Sequence, residues 1–191
     1  MWAYYDLSAV YHSQQEAVTQ IAIKKDRMMT GSHINREPTP EVGEGPYYKG
    51  GSPERTNIAG KNTVGERLVV EGRVLDVNGD PIRGAWIDFW QADSRGEYDN
   101  IGYILRGHQF TSGGGAYHLE TVVPAMYGSR TPHIHVKLRA SPGSAILTSQ
   151  LFFPNEARNK TDVIFNPKLV MAVTESSEAR QARFDFVLAI A

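Results

Sequence analysis

From Leu68 onward, short runs of strand-forming residues alternate with turns rich in glycine. In one clear run, Ala85, Ile87 and Phe89 alternate with Trp86, Asp88 and Trp90. This alternation indicates a strand with two different faces. Short strands at fairly regular spacing predict an all-β fold, and specifically a β-sandwich. A turn at residues 78–81, Asn-Gly-Asp-Pro, favours a hairpin after the first strand. The predicted strands cover residues 68–77, 85–90, 103–106, 116–122, 133–139, 146–153, 169–174 and 184–190.

The part of the chain before these strands has a different character. Ser13 and Glu16 match a capping box, and the apolar stripe after them predicts a helix over residues 13–27. Residues 30–65 are rich in Gly, Pro, Ser and Asn, so we expect them to run extended over a surface or across the mouth of a site. We therefore predict an N-terminal helix and extended arm over residues 1–38 and one β-sandwich domain over residues 39–191.

Composition excludes several classes of function. The chain has 191 residues, no cysteine and a net charge of −1, with both signs of charge well mixed. This balance does not favour nucleic acid or an anionic membrane as a partner, and the missing thiols exclude disulfides and cysteine nucleophiles. No run of apolar residues is long enough to span a membrane, and the first residues lack the pattern of a secretory signal. A cytoplasmic protein is the expectation, with Met28 or Met29 as an alternative start.

The predicted strand at residues 133–139 carries the strongest sign of chemistry. His133 and His135 are two residues apart, so their side chains point to the same face of a strand. Both imidazoles can then reach one metal ion, while the opposite face is apolar through Ile134, Val136 and Leu138. The alternative is a pair of half-buried histidines that hydrogen-bond to backbone carbonyls.

Neighbouring residue types narrow the choice of metal. Tyr127 and Arg130 precede the histidines in the same segment. A structural zinc site usually uses cysteine or further histidines, and this chain has no cysteine. Phenolate is a hard, strongly donating ligand that suits a ferric ion. Tyrosines beside the histidine pair therefore favour iron over zinc.

Several further motifs carry a family resemblance, and they occur in one order along the chain. They are Glu44-Gly45-Pro46-Tyr47-Tyr48, Gly84-Ala85-Trp86-Ile87-Asp88-Phe89-Trp90-Gln91-Ala92-Asp93, Gly96-Glu97-Tyr98-Asp99, Leu105-Arg106-Gly107-His108-Gln109-Phe110-Thr111 and Arg130-Thr131-Pro132-His133-Ile134-His135. From about residue 39 to residue 153 the chain thereby resembles the intradiol ring-cleavage dioxygenases. The resemblance implies a prealbumin-related β-sandwich with long loops and a short N-terminal helix, in which residues 39–191 are the catalytic domain.

The resemblance also implies a mononuclear non-haem Fe(III) held by Tyr98, Tyr127, His133 and His135. Such an enzyme would use O2 to cleave a catechol-type ring between its two hydroxyls, giving a cis,cis-muconate-type diacid. By the same resemblance, Tyr127 would be the ligand that exchanges when substrate binds and that accepts a proton. Arg130 would orient the substrate and stabilise negative charge on its ring.

Other site residues follow from the same comparison. Gln150 matches a glutamine near the iron, and Gly45, Pro46 and Tyr47 match a segment that walls one side of the substrate ring. Trp90 would close the pocket from below, just outside the metal ligands, and the alternative is that it merely fills the core. The interval from Tyr127 to the histidines is shorter than in many members of the family, and only about one helix fits before residue 39, so a long helical dimerisation domain is not expected.

The substrate and the assembly are left open by the sequence. Catechol, hydroxyquinol and protocatechuate are all candidates, and the resemblance implies an oligomer, either a homo-oligomer or, for a protocatechuate type, a hetero-oligomer. Residues 72–85 also resemble transthyretin-like modules, so a non-catalytic β-sandwich binding module is the alternative function. Metal-dependent hydrolysis ranks last, because no Glu or Asp lies at motif spacing from the histidines.

Overall fold

Two β-sheets account for the regular structure. The structure is a computed structural model that describes residues 35–174 and 178–190. Nine strands lie in this part: β1 (Arg67–Asp76), β2 (Trp86–Gln91), β3 (Arg106–Phe110), β4 (Ala116–Val122), β5 (His133–Arg139), β6 (Leu147–Phe152), β7 (Ala172–Thr174), β8 (Arg180–Arg183) and β9 (Phe186–Leu188). Two 3-10 turns, Ala157–Lys160 and Pro167–Leu169, are its helical segments. No helix in this part has the length and apolar character needed to cross a membrane. The helix expected over residues 13–27 lies outside the described residues.

The strands pair in two separate groups. In the first sheet the order is β4-β1-β8-β7, and β9 also pairs with β1. Here β1 is antiparallel to β4 but parallel to β8 and β9. The second sheet has the order β3-β2-β5-β6, with every neighbouring pair antiparallel. This architecture confirms the predicted all-β sandwich.

The core consists of the inward faces of both sheets. Strands of the first sheet contribute Val70, Val74 and Leu119, and strands of the second contribute Ile87, Phe89, Ile134, Val136, Leu138 and Leu151, each 0% exposed. Burying one such side chain contributes about 1.5–3 kcal/mol to stability. Since every second residue of β5 is committed to this core, the intervening residues must face outward.

Loops cover the outer face of the second sheet. In consequence His133 and His135, which point away from the core, are only 4% exposed each. The glycine- and proline-rich segment supplies part of the cover: the Val42 N–H donates to the carbonyl of Thr148 on β6 at 2.8 Å, and the Arg55 N–H donates to that of His108 on β3 at 2.8 Å. The segment therefore runs along both edges of this sheet, as its composition predicted.

The hairpin expected after the first strand is wrong. The turn at residues 78–81 does form, with the Ile82 N–H donating to the Val74 carbonyl at 2.8 Å. However, β1 and β2 lie in different sheets. Residues 87–91 of β2 are all buried, and β2 pairs with β3 and β5 along its two edges. No edge of β2 is left for β1, so burial in the middle of the second sheet overrides the local turn signal.

Three strand predictions have the wrong bounds. Residues 103–105 are a turn, because the Asp99 carboxylate accepts the N–H groups of Ile101, Gly102 and Ile104 at 3.0, 2.7 and 2.8 Å. The strand predicted at 169–174 is a 3-10 turn followed by β7, and the one at 184–190 is reduced to β9. Strand β8 was not predicted. Its sequence, Arg-Gln-Ala-Arg, buries only Ala182, so an apolar alternation is missing.

Candidate metal centre

Strand β5 brings two imidazole rings together. The Nε2 atoms of His133 and His135 are 3.0 Å apart, as expected for side chains on one face of a strand. The Nδ1–H of His133 donates to the Thr131 carbonyl at 2.6 Å, which leaves a lone pair on its Nε2. Burial lowers the pKa of His133 to about 4 and that of His135 well below its usual value. Both rings are therefore neutral near pH 7, the form that binds metal.

Tyr98 completes this side of the cluster. It follows β2 in a loop, and its Oη lies 3.1 Å from the Nε2 of His135. Burial raises the pKa of Tyr98, so a phenolate here requires a nearby positive charge. Gly96 allows this loop to approach the segment of Tyr127: an added Cβ on Gly96 would lie 2.2 Å from the Met126 carbonyl oxygen. Only glycine fits between the two loops without a shift.

Tyr127 and Arg130 lie at the two ends of one tight turn. The Arg130 N–H donates to the Tyr127 carbonyl at 2.9 Å, and Gly128 has a φ of 57°. This turn accounts for the short interval between Tyr127 and His133. The Tyr127 ring is perpendicular to that of Tyr98, with centroids 5.5 Å apart. Tyr98, Tyr127 and the two histidines thus come together from a loop, a turn and a strand.

Tyr47 joins the same cluster of aromatic rings. It stacks on Tyr98 with centroids 4.5 Å apart and 15° between planes, and it meets Tyr127 edge to face at 5.1 Å. The hydroxyls of Tyr47 and Tyr127 are hydrogen-bonded, and this bond raises the pKa of Tyr47. Gly45 lies over His135, because an added Cβ would be 3.6 Å from its Cε1. Pro46, which lies between Gly45 and Tyr47 in the chain, is exposed.

Arg130 is held by two side chains. Its Nε donates to both Asp162 carboxylate oxygens at 3.0 and 2.9 Å, and its Nη2 donates to Gln150 Oε1 at 2.6 Å. Gln150 is only 1% exposed and is paired with His135 across β5 and β6. Gln150 therefore lies on a buried part of β6 and not on an exposed strand face. Arg130 Nη1 has no hydrogen bond to any described residue.

Sequence reasoning missed two residues of the site. Asp162 holds Arg130, yet it lies in a loop far along the chain from the histidines, and no local pattern marks it. Arg106 is 1% exposed and donates to the carbonyls of Asp99 at 2.9 Å and Tyr47 at 2.6 Å. It thereby ties together the loops that carry Tyr98 and Tyr47. In the sequence, the feature that could have identified Arg106 is a charged residue within a strand whose pattern is otherwise that of a buried strand.

The donor atoms fit one metal ion of moderate hardness. The Nε2 atom of His135 lies 3.0 Å from that of His133 and 3.1 Å from Tyr98 Oη, and the Tyr127 ring meets the Tyr98 ring edge to face. Within residues 35–174 and 178–190, no three His, Asp or Glu side chains cluster closely enough to hold a metal. The side-chain oxygen that lies beside the two imidazoles is Tyr98 Oη, 3.1 Å from His135 Nε2.

Known proteins match this chain over most of its length. A family model described as Dioxygenase matches residues 43–190, which include all of the candidate site residues. The match assigns the chain to the dioxygenases. The dioxygenase domain of a dioxygenase carbohydrate-binding protein fusion from Streptomyces sp. SirexAA-E is 48% identical, with a TM-score of 0.78 over 81% of this chain and 100% of that chain.

Two further proteins agree with that match. An intradiol ring-cleavage dioxygenase from Tetranychus urticae is 27% identical, with a TM-score of 0.73 over 80% of this chain and 94% of that chain. The protocatechuate 3,4-dioxygenase beta chain of Burkholderia cepacia is 29% identical, over 65% of this chain and 65% of its own length. The chain spans 65% of the length of that relative and 51% of the length of a catechol 1,2-dioxygenase from a Pseudomonas species. The chain belongs to the intradiol ring-cleavage dioxygenase family.

Proposed function

We propose that this protein opens a catechol-type ring between its two hydroxyl groups by reaction with O2. Both oxygen atoms enter the product, a cis,cis-muconate-type diacid. The observation that carries the proposal is the convergence of His133, His135 and Tyr98, whose donor atoms meet at 3.0 and 3.1 Å. A binding module without catalysis has no use for neutral imidazoles and phenols that face one another.

A mononuclear non-haem Fe(III) is the cofactor that this donor set fits. Tyr98, Tyr127, His133 and His135 would hold it, because phenolate oxygens are hard donors that favour a ferric ion. When bound, the ion would supply Lewis acidity that draws electron density from both hydroxyl oxygens of a catechol. The neutral state of the two histidines supports this assignment.

Tyr127 is the residue that we assign to proton transfer. Its Oη is hydrogen-bonded to the Tyr47 hydroxyl. Tyr98 is the more enclosed of the two tyrosines, since its ring is covered by the stacked ring of Tyr47. In its phenolate form, Tyr127 Oη would take a proton from a substrate hydroxyl and become a neutral phenol, with the Tyr47 hydroxyl hydrogen-bonded to that oxygen.

Arg130 supplies a fixed positive charge beside the substrate. Asp162 and Gln150 bind its Nε and Nη2, and these bonds restrain the orientation of the guanidinium. A preorganised charge of this kind stabilises negative charge that develops on the ring during the reaction. Gln150 therefore acts by positioning Arg130.

A flat aromatic substrate suits the wall of the site. Gly45 lets the backbone approach His135, and the Tyr47 ring offers an aromatic face. We assign Gly45, Pro46 and Tyr47 to this wall. Catechol, hydroxyquinol and protocatechuate are the substrates to compare.

We also propose that the protein forms an oligomer. This would be either a homo-oligomer or, as in the protocatechuate type, an assembly of unlike chains. A cytoplasmic location stays a prediction.

Visible spectroscopy tests this function. Purified protein with its iron quantified is examined without oxygen, before and after addition of catechol, hydroxyquinol and protocatechuate in turn. We expect a tyrosinate-to-Fe(III) absorption band that shifts with one of the three compounds and is bleached, with formation of the diacid, when O2 is admitted. Protein that stays colourless after reconstitution with ferric ion would exclude the proposal.

A matched pair of variants tests the ligand assignment. Tyr98→Phe is expected to lower the iron content and shift the band. Tyr103→Phe is the control, because Tyr103 is in the same loop but its Oη donates to the Gly50 carbonyl at 2.9 Å. Equal iron content in the two variants would contradict the role of Tyr98.

A further inference from the structure

The two histidines of the centre are held in different ways. His133 donates its Nδ1–H to the Thr131 carbonyl at 2.6 Å, the usual second contact of a metal-binding histidine. His135 is buried to the same extent, with 4% exposure, but its Nδ1 has no hydrogen-bond partner among the described residues. Something other than a hydrogen bond at Nδ1 must therefore set the orientation of the His135 ring.

Trp90 provides that contact. Its indole ring lies parallel to the His135 imidazole, with centroids 4.8 Å apart and 10° between the planes. The two residues are directly opposite each other in the pairing of β2 with β5. At 1% exposure Trp90 is itself buried. Face-to-face contact of this kind restricts rotation of the imidazole about its Cβ–Cγ bond.

Trp90 is in turn held by its neighbours. The Tyr48 ring meets it edge to face, with centroids 4.8 Å apart and 60° between planes. The Tyr48 hydroxyl donates to Asp88 Oδ2 at 3.2 Å, and Lys137 Nζ lies 3.9 Å from the centre of the Tyr48 ring. These contacts restrict movement of the indole ring that lies against His135.

We propose that Trp90 is the positioning residue of His135, and that its π face does for His135 what the Thr131 carbonyl does for His133. The inference rests on the proposed metal site. A carbonyl that accepts the Nδ1–H of an imidazole makes its other nitrogen, Nε2, a better electron-pair donor to a metal ion. An imidazole that gives its lone pair to a cation becomes electron-poor, and the negative face of an indole attracts an electron-poor group. Stacking thus supplies orientation and electrostatic support in one contact.

Substitution of Trp90 is the first test. The dissociation constant for ferric ion is measured by competition with a chelator in Trp90→Phe and Trp90→Leu. We expect a constant about 10- to 100-fold higher for Trp90→Leu, the usual loss when the second contact of a ligand is removed, and a smaller change for Trp90→Phe. Trp86→Leu is the control, since Trp86 is on the same face of β2 but pairs with Arg139. An unchanged constant in Trp90→Leu, or an equal rise in Trp86→Leu, would overturn the proposal.

Fluorinated tryptophan distinguishes an effect of the charge on the Trp90 indole face from an effect of its shape. The other two tryptophans of the chain, Trp2 and Trp86, are replaced by phenylalanine, so that only Trp90 carries the label. Tryptophan with one, two or three fluorine atoms has a progressively less negative face but nearly the same shape. We expect the affinity for ferric ion to fall in steps along this series. Constant affinity would show that Trp90 only fills space.

The metal-free protein gives an independent measurement. The ring protons of His135 lie over the indole, so their proton resonances are displaced by its ring current. We expect this displacement to disappear in Trp90→Leu, while the resonances of His133 keep their positions. If the wild type takes up no iron, the proposed function fails, but this result still decides the role of Trp90. His135 resonances that do not move would overturn it.

Discussion

Arg130 and Asp162 show how single residues prepare the site. The Asp162 carboxylate is 0% exposed and accepts the Arg130 Nε–H and the Thr131 N–H at 2.9 Å each. Thr131 is also the residue whose carbonyl holds His133. One carboxylate therefore holds both the Arg130 guanidinium and the backbone that leads into β5.

Asp162→Asn tests this arrangement through pH. Burial pushes the pKa of Asp162 up, but the N–H groups of Ile164 and Thr131 and the Arg130 guanidinium outweigh it and hold the pKa below its usual value. A depressed pKa stabilises the fold above the pKa of the unfolded chain, about 3.9, and this contribution is lost as pH falls through the folded-state pKa. We expect Asp162→Asn to lower the free energy of unfolding by about 2 kcal/mol at pH 7, because bonds to a charged acceptor are lost.

The measurement is urea denaturation of the metal-free protein between pH 3 and pH 7. The difference between wild type and Asp162→Asn should be largest at pH 7 and shrink below about pH 4. Glu97→Gln is the control, because Glu97 is exposed and, among the described residues, its carboxylate forms an ion pair with Arg95. A difference that stays constant with pH would contradict a role for the charge.

At the scale of elements, local pattern predicts a strand but not its partners. The period of two in β5 was enough to foresee that His133 and His135 share a face and that Ile134 is buried. The sheet in which β2 lies could not be foreseen, because it depends on contacts distant in the chain. The same holds for Asp162 and for the stacking of Trp90 on His135. Tyr127 was noticed because it lies in the same segment as the histidines, whereas Tyr98 was found only through the family motifs, since nothing local distinguishes it from other tyrosines.

Close packing of β1 against the end of the chain gives a prediction for this scale. Gly72 lies in β1, and an added Cβ would be 1.7 Å from the Phe184 carbonyl oxygen. Backbone cannot move aside easily, so we expect Gly72→Ala to lower the free energy of unfolding by about 2–3 kcal/mol. Gly113→Ala is the control, since nothing lies within 4 Å of its added Cβ. Urea denaturation with equal midpoints for both variants would show that the register of β1 with the C-terminal strands is wrong.

At the scale of the molecule, the candidate ligands connect separate parts of the second sheet. Tyr98 is in the loop after β2, Tyr127 is in the turn before β5, and His133 and His135 are on β5 itself. An ion bound by all of them would link these parts in the folded state, while the unfolded chain would not hold the ligands together. Anything that binds only the folded state stabilises it in proportion to the logarithm of its concentration.

Iron should therefore raise the melting temperature of this protein. At a ferric concentration about 100 times the dissociation constant, the gain is about 2.7 kcal/mol, which corresponds to roughly 5 to 10 °C for a domain of this size. Calorimetry in a series of ferric nitrilotriacetate buffers measures it. His135→Ala should lose the shift, whereas His118→Ala should keep it, because His118 is a half-buried residue of β4 that lies between Glu71 and Glu120. An equal shift in both variants would mean that the ion binds elsewhere and that the four ligands do not act as one site.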